Sequence, residues 1–339
     1  MRIKNTKVWK KSRDLYYKFL LLRNYKKSKH MRKKKYESYL IKRYEDFMNR
    51  REYTKGKTLS FENPLTFSEK SQWIKLYDQD PRKPIYSDKY AVRKHIEEVL
   101  GPDYLVPLIV IDGNEYYMNA KEIDFDKLPN SFVIKCTHGS HMNIIVKDKT
   151  KLTKKDIKAI KIKLNKWLRI DYVFYVSLET QYTGIKPRII IEKYLDEMEG
   201  VRDYKFLCFG GRSPFFWVNE NASESNGKEH TTTTFMRNGL IADFNMNMNY
   251  AKNISNYSLP DNLSSMIKIA EELSEDFICV RVDLYNIKGK ILFGEMTFNS
   301  AAGYDVPNPV EYDLELGKYM KIDRNKRIGN YTYRQYEKN

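Results

Sequence analysis

The stretch CVRVDLYNIKGKILFGEMTFNSAAG, from Cys279 to Gly303, sets Asp283 and Glu295 inside otherwise apolar runs. A carboxylate among valines, leucines and phenylalanines is costly to bury unless something pairs with it. The run NIKGK, with Gly289 where a left-handed residue is favoured, predicts a β-hairpin whose loop is Ile287–Gly289. Counting outward places Asn286 opposite Lys290, Asp283 opposite Phe293 and Arg281 opposite Glu295. Val280, Val282, Leu284, Leu292, Gly294 and Met296 then share an apolar face, while Arg281, Asp283, Glu295, Thr297 and Asn299 share the other. One reading of the polar face is a buried Arg281–Glu295 pair with Asp283 in water. The other is a metal site, because hard oxygens at this spacing suit Mg²⁺, which takes one or two carboxylates and completes its shell with phosphate and water.

Two further stretches carry residues fit for the same chemistry. FVIKCTHGSHMNIIVKD, residues 132–148, reads as strand, short polar loop, strand, with Lys135 near the end of the first strand and Gly139 and Ser140 in the loop. Backbone N–H groups of such a loop, beside a lysine, can cradle a polyphosphate, although a Gly-Ser loop is often only a turn. IIIEKYLDEMEG, residues 189–200, puts acids just after an apolar strand, where the adenine and ribose of a nucleotide could lie. HTTTTF, residues 230–235, reads as an exposed strand or as the lining of an acceptor pocket.

The elements that must position these residues are of mixed type. Residues 1–50 read as helical, with Trp9, Leu15, Phe19 and Leu22, and again Leu40, Tyr44, Phe47 and Met48, at rough helical spacing. Residues 51–87 form a connector and helical region in which TFSEKSQWIKLY starts a helix, with Thr66 or Ser68 able to cap and Glu69 close behind. SDKYAVRKHIEEVLG predicts a helix with Ser87 or Asp88 near its cap and Gly101 at its end. From residue 104 onward the β-type runs dominate, interrupted by helices at KKDIKAIKIKLNKWLR and SSMIKIAEELSEDF. Strands and helices do not alternate strictly, which favours an α+β fold over a doubly wound parallel sheet. Residues 321–339 read as a polar tail.

Composition narrows the class further. The chain of 339 residues carries a net charge of +17, and residues 1–50, with 18 Lys+Arg and 4 Asp+Glu, hold +14 of it. The body is nearly neutral, so the basicity belongs to one segment, and no nucleic-acid motif accompanies it. Cys136, Cys208 and Cys279 are odd in number, widely spaced and free of CxxC, which argues against a disulfide scaffold or a zinc site and for a reducing, cytoplasmic setting. No apolar run approaches the ~20 residues that span a bilayer. The basic start lacks the continuous apolar stretch of a signal peptide.

Taken in order, these pieces resemble the ATP-grasp ligases. SDKYAVRK looks like the helix start of that fold's nucleotide-binding unit, VIKCTHGS its lysine and phosphate loop, IIIEKYL its adenine hinge, and RVDLY with KILFGEMTFN its closing Arg-x-Asp and metal-binding Glu. FENPLTFSEKSQWIKLYDQDP, DKYAVRKHI, DYKFLCFGG and GEMTF narrow the likeness to the TupA-like ATP-grasp family of surface-polysaccharide gene clusters, over roughly residues 58–305. The resemblance implies an ATP-grasp domain over 88–320, two α+β subdomains gripping ATP, with a basic helical extension at 1–50. It implies that Lys89 and Lys135 contact phosphate oxygens and that Gly139 and Ser140 lie in the loop closing over them. Glu192, with the backbone of Lys193–Leu195, would meet adenine; Glu199, with Glu197 as the other candidate, would accept from the ribose; Lys205 would approach the nucleotide. Arg281 would stabilise the transferring γ-phosphoryl, with Lys135 counted beside it as catalytic, and Asp283 and Glu295 would hold Mg²⁺. Many relatives read Glu-x-Asn at the third metal ligand; here Thr297 occupies that slot and Asn299 follows one strand repeat later.

The function so implied is an ATP- and Mg²⁺-dependent ligase joining an amine, such as an amino acid, to a carboxylate, such as a uronic acid of a glycan or its precursor, through an acyl phosphate. The alternatives are an ATP-grasp kinase acting on a glycan hydroxyl and a non-catalytic nucleotide-binding protein. Aromatics interleaved with bases in residues 1–50 suit an anionic membrane surface, predicting a cytoplasmic enzyme held on the inner face of the membrane. Nucleic acid is the disfavoured partner.

Overall fold

The computed structural model describes residues 33–175, 177–195, 202–220, 231–246 and 258–323. The predicted helix through Trp9–Leu22, the ribose candidates Glu197 and Glu199, and the tail from 324 lie outside them.

Two antiparallel sheets frame the molecule. The smaller is built from β1 (Tyr116–Tyr117), β2 (Phe132–Cys136), β3 (Asn143–Val146) and β4 (Ile189–Lys193), in the order β1-β4-β2-β3. The larger is built from β5 (Asp203–Phe209), β6 (Arg212–Glu220), β7 (Thr231–Met236), β8 (Val280–Ile287) and β9 (Lys290–Thr297), in the order β7-β6-β5-β8-β9. The run VPLIVI, strand-like in sequence, forms only isolated bridges at Leu108 and Ile111.

Seven helices cover these sheets among the described residues: α1 (Lys33–Met48), α2 (Phe67–Tyr77), α3 (Arg82–Ser87), α4 (Val92–Val99), α5 (Lys154–Trp167), α6 (Leu263–Ser274) and α7 (Tyr312–Tyr319). Thr66 is the cap of α2, forming a reciprocal capping box with Glu69. Asp88 accepts from the N–H groups of Tyr90 and Ala91 as the chain turns into α4.

The large sheet divides its two faces differently. Phe206, Cys208, Phe216, Val218, Val280, Val282 and Leu284 pack under α6 and α4. On the opposite face Leu207, Phe209, Phe215 and Trp217 pack against α1 and α2. Asp203 and Lys205 share that second face by alternation, so its apolar part ends where the polar part begins. α1 belongs to this core: Tyr36, Leu40, Tyr44 and Met48 fall every fourth residue and are 4, 0, 0 and 1% exposed. The Tyr44 hydroxyl meets Ser68 Oγ at 2.7 Å, Ser68 Oγ donates to Asp313 at 2.6 Å, and Lys57 donates to the same carboxylate at 2.8 Å. That buried chain ties α1, α2 and α7 together. The small sheet packs on α5 through Phe132, Ile134, Leu164, Ile189 and Ile191.

The three cysteines are buried and free, and no described helix is long and apolar enough to cross a membrane.

The hairpin differs from its predicted register. The turn holds two residues, Lys288 and Gly289, both with positive φ (51° and 87°), the backbone of a tight hairpin turn that glycine favours. Ile287 pairs with Lys290, and Leu284 with Phe293. A bulge then places Gly294 as an extra residue, and Asp283 lies directly opposite Glu295, with Arg281 opposite Thr297. The polar face keeps its predicted members, but the apolar one changes. Ile291 and Phe293 join the core under α6, whereas Leu292 turns to the other side, beside Val106 and Ile287.

Candidate active site

The middle strands of the large sheet carry a row of charges. Lys205 on β5 pairs across with Asp283 on β8, which pairs across with Glu295 on β9. Lys205 Nζ donates to Asp283 Oδ2 at 2.5 Å and sits 2.6 Å from Asp203 Oδ2. Arg281 grips Asp283 with two nitrogens, Nε to Oδ1 at 2.6 Å and Nη2 to Oδ2 at 2.7 Å. Its Nη2 also donates to Glu295 Oε1 at 2.8 Å and to Thr297 Oγ1 at 3.2 Å, and its Nη1 to Ser300 Oγ at 2.8 Å. The Arg281–Glu295 pair of the first sequence reading is present, but Asp283 is 2% exposed and paired with Arg281 and Lys205 rather than in water.

The small sheet and the start of α4 supply the facing cations. Lys89 Nζ donates to Gly139 O at 2.6 Å in the β2–β3 loop and lies 3.9 Å from Glu295 Oε2. At Gly139 a Cβ would collide with the Tyr172 ring, so glycine is what lets the loop pass so close. Ser140 Oγ meets His141 Nδ1 at 3.0 Å, and His141 adopts φ 58°. Lys135 lies 2.5 Å from Glu192, whose other oxygen is 3.9 Å from Arg93. The Lys193 N–H donates to Pro107 O, and Leu195 packs on the apolar group of Val106, Ile287, Leu292 and Tyr285.

The electrostatics follow from burial and neighbours. Burial alone would raise the Glu295 carboxyl, but Lys89, Arg281 and Lys205 outweigh it and hold it at about 2, below its ordinary 4.5. Burial would lower the Lys205 ammonium, and Asp203 with Asp283 reverses the sign. Asp203 is pushed up by burial and by neighbouring Asp283, against the pull of Lys205. Lys89 is lowered by burial, which the Glu295 charge only partly offsets. Because the folded state holds Glu295 more acidic than the unfolded chain does, its ionisation stabilises the fold above pH 4.5, and that stability is lost as pH falls towards about 2. The gap in melting temperature between the wild type and Glu295→Gln should narrow over that window in acid titrations. A gap that stays constant would mean that Glu295 is not held by these cations.

Of the residues singled out in the sequence, Lys89, Gly139, Lys205, Arg281, Asp283 and Glu295 come together in one cluster. Lys135 and Glu192 form the neighbouring pair on the small sheet. Asn299 lies at the end of β9, where its Nδ2 donates to Gln181 Oε1 at 2.7 Å. Sequence reasoning missed Asp203, although strict alternation with Lys205 puts it on the site face. It also missed Val106 and Leu292, whose placement depends on the bridge region and the bulge. The threonines of β7 proved interior rather than exposed: Thr232, Thr233 and Thr234 are at most 1% exposed.

The donor set suits a hard dication and a polyphosphate. Among the described residues no three His, Cys, Asp or Glu side chains gather as a metal cluster. Two carboxylates side by side, with phosphate oxygens completing the shell, is nevertheless the ordinary arrangement for Mg²⁺. Asn299 lies two residues beyond β9, and its Oδ1 is buried and without a partner.

Two antiparallel sheets, a lysine-flanked glycine loop on one and an Arg-x-Asp strand paired with a Glu strand on the other, define an ATP-grasp protein. Within that class, the chain belongs to the TupA-like ATPgrasp family, whose profile matches residues 69–321. Comparison with curated proteins finds no match. Among solved structures it is similar to D-alanine–D-alanine ligase from Bacillus anthracis complexed with ATP, at 14% identity and TM-score 0.39, over 74% of this chain and 64% of that one. The Helicobacter pylori D-alanine–D-alanine ligase matches at 16% identity and TM-score 0.38, over 75% of this chain and 69% of that one. The ATP-grasp ligase PsnB, complexed with its minimal precursor, Mg and ADP, matches at 9% identity and TM-score 0.34, over 68% of this chain and 58% of that one.

Proposed function

We propose that this chain is an ATP- and Mg²⁺-dependent ligase of surface-polysaccharide synthesis, joining an amine, above all an amino acid, to a uronic acid carboxylate of a glycan or its precursor. The observation that carries the nucleotide half is the row Lys205–Asp283–Glu295, gripped by Arg281 and faced by Lys89, which is bonded to the glycine loop. The acceptor half rests on the family. Within the cluster Lys89, Lys205 and Arg281 balance Asp203, Asp283 and Glu295. A polyphosphate can therefore take over the cations, while Asp283, Glu295 and Asn299 take a metal in their place.

In this reading Lys89 and Lys135 neutralise phosphate oxygens, and the Gly139–Ser140 loop covers them with backbone N–H groups. Arg281 meets the charge that develops on the γ-phosphoryl as it moves to the substrate carboxylate. Bound Mg²⁺ would supply further neutralisation of the phosphate charge. Glu192, the Lys193–Leu195 backbone and the slot lined by Val106, Ile287 and Leu292 receive the adenine. Glu199 binds the ribose. The amine then displaces phosphate from the acyl phosphate, and no protein nucleophile takes part. The strongly basic residues 1–32 attach the enzyme to the inner face of the membrane, where a lipid-linked acceptor would be held.

Product analysis by mass spectrometry, with ATP and glycan precursors, tests the reaction: an amide plus free phosphate supports ligation, and a phosphate ester makes the enzyme a kinase. Lys135→Ala should weaken binding of a non-hydrolysable ATP analogue by about 10- to 100-fold, the equivalent of a charge-assisted contact of about 1.5–3 kcal/mol. An unchanged dissociation constant would leave Lys135 as the structural partner of Glu192 alone.

A further inference from the structure

Three consecutive residues just past β9 have left-handed backbone: Ala301 (φ 45°), Ala302 (φ 55°) and Gly303 (φ 72°). Two of them are alanines, and a Cβ in that conformation crowds the following carbonyl oxygen, so such a run persists only where its surroundings impose it. The surroundings here are α2. Gln72, 0% exposed, donates from Nε2 to Gly303 O at 2.6 Å and to Ala302 O at 3.4 Å. Its Oε1 accepts from Lys75 Nζ at 2.9 Å, and Lys75 Nζ donates in turn to Ser177 O at 3.1 Å. Carbonyls on one side and an amine on the other fix which way the Gln72 amide points. The approach is close: a Cβ at Gly303 would lie 2.8 Å from Gln72 Nε2 and 3.3 Å from Ser71 Cβ.

The turn begins at Ser300, which touches the charge cluster. Ser300 Oγ accepts from Arg281 Nη1 at 2.8 Å and donates to Asp305 Oδ2 at 2.8 Å, so its one proton is committed and a lone pair faces the guanidinium. Arg281 Nε and Nη2 donate to Asp283, Glu295 and Thr297. Nη1 has Ser300 as its one partner among the described residues, which leaves it a second N–H for a phosphate oxygen.

We propose that Gln72 is a positioning residue for Arg281, clamping the left-handed turn Ser300–Gly303 so that Ser300 keeps its contact with the guanidinium when nucleotide and metal bind. The inference rests on the reading of Arg281 above as the partner of the γ-phosphoryl. In that reading Asp283 and Glu295 turn to the metal, so the carboxylates that grip Arg281 are shared with a dication. The Ser300 hydroxyl, backed by Asp305, is then the contact that still aims Nη1. Without the clamp the two alanines relax towards ordinary backbone angles, and Ser300 moves with them.

The test uses the full chain with Mg²⁺ and measures by calorimetry the dissociation constants of ADP and of β,γ-imido-ATP. The ratio of the first to the second reads the hold on the γ-phosphate. Arg281→Ala should lower that ratio by about 10- to 100-fold, the range of a charge-assisted contact. Gln72→Met, apolar and of similar length, should lower it by about 10-fold with ADP binding unchanged. Adding Ala301→Gly and Ala302→Gly to Gln72→Met should restore most of the ratio, because glycine adopts positive φ without being forced. A packing defect at Gln72 would not be repaired by those glycines. A wild-type ratio in folded Gln72→Met, or a loss that the glycines leave in place, would overturn the proposal. Should Gln72→Met not fold, Ser300→Ala decides, because it cuts the link between turn and guanidinium. A loss of about 10-fold there supports the clamp, and a wild-type ratio leaves it nothing to act on. Arg281→Ala separates the two levels. Loss there with retention in Gln72→Met and Ser300→Ala sinks only the clamp, whereas retention in Arg281→Ala sinks the reading of Arg281 and the clamp with it.

Discussion

Asp283→Asn is expected to abolish turnover and to lower stability markedly, whereas Glu295→Gln loses turnover in a protein that stays folded. The two carboxylates face each other across the hairpin but differ in what depends on them. Asp283 is 2% exposed and is the shared partner of Lys205 and both inward nitrogens of Arg281. Removing its charge leaves two buried cations with only Asp203 and Glu295 to balance them. Breaking a buried pair in this way costs about 3–5 kcal/mol, a large part of the roughly 5–15 kcal/mol that holds a protein folded. The Glu295 side chain is 30% exposed, so water screens its loss, and the cations near it retain Asp283. Turnover should fall by about 10²–10³-fold or more in both variants, the scale of a lost transition-state charge contact. Calorimetry with a phosphate-release assay separates the two effects. Normal turnover in both would remove the metal site, and a wild-type melting temperature for Asp283→Asn would show that Lys205 and Arg281 find other partners.

A chain beginning at Arg51 is expected not to fold, while one beginning at Lys33 should melt like the full-length protein. Tyr36, Leu40, Tyr44 and Met48 are all buried against α2 and the large sheet. Burying one such side chain contributes about 1.5–3 kcal/mol, so losing four approaches the whole stability of a domain. The Tyr44 deletion also leaves Ser68 and Asp313 without a member of their buried chain. Residues 1–32, in contrast, hold 12 Lys+Arg and 1 Asp, or +11 of the net +17. The chain from Lys33 is therefore the proper control for membrane attachment. Full-length protein should sediment with anionic vesicles and release as salt rises, since each base near such a surface contributes about 1 kcal/mol that salt screens. The chain from Lys33 should remain in solution. Equal sedimentation of the two, or none by either, would end the membrane proposal.

The polar face of the hairpin was predicted with its right members because two offsets cancel: a two-residue turn by itself would put Glu295 and Thr297 on the face opposite Arg281 and Asp283, and the bulge at Gly294 returns them. Their register was not legible. A two-residue turn and a three-residue turn are both common hairpin connections, and the bulge at Gly294 adds an offset that depends on how β8 packs under α6 and against β5. Turn and offset together, invisible in the chain, put Asp283 against Glu295 and turn Leu292 to the face that carries them, beside Val106 and Ile287. The capping of α2 by Thr66 and Glu69 was local and readable.

What the sequence determined by itself is the inventory and its short-range order: α+β elements, a lysine before a glycine loop, an acid after an apolar strand, and alternating charges on a hairpin. The tertiary structure decided which charges meet. Lys205 and Asp283 are 78 residues apart and meet only through the pairing of β5 with β8. Gln181 and Asn299 are 118 apart and meet only where a 3-10 turn packs on the end of β9. Periodicity also marked α1 as amphipathic without saying whether its apolar face meets a membrane or a core. Leu40, Tyr44 and Met48 answered that by packing on a sheet whose strands begin more than 150 residues later. Amphipathicity is a property of a segment, but the surface that covers it is a property of the fold.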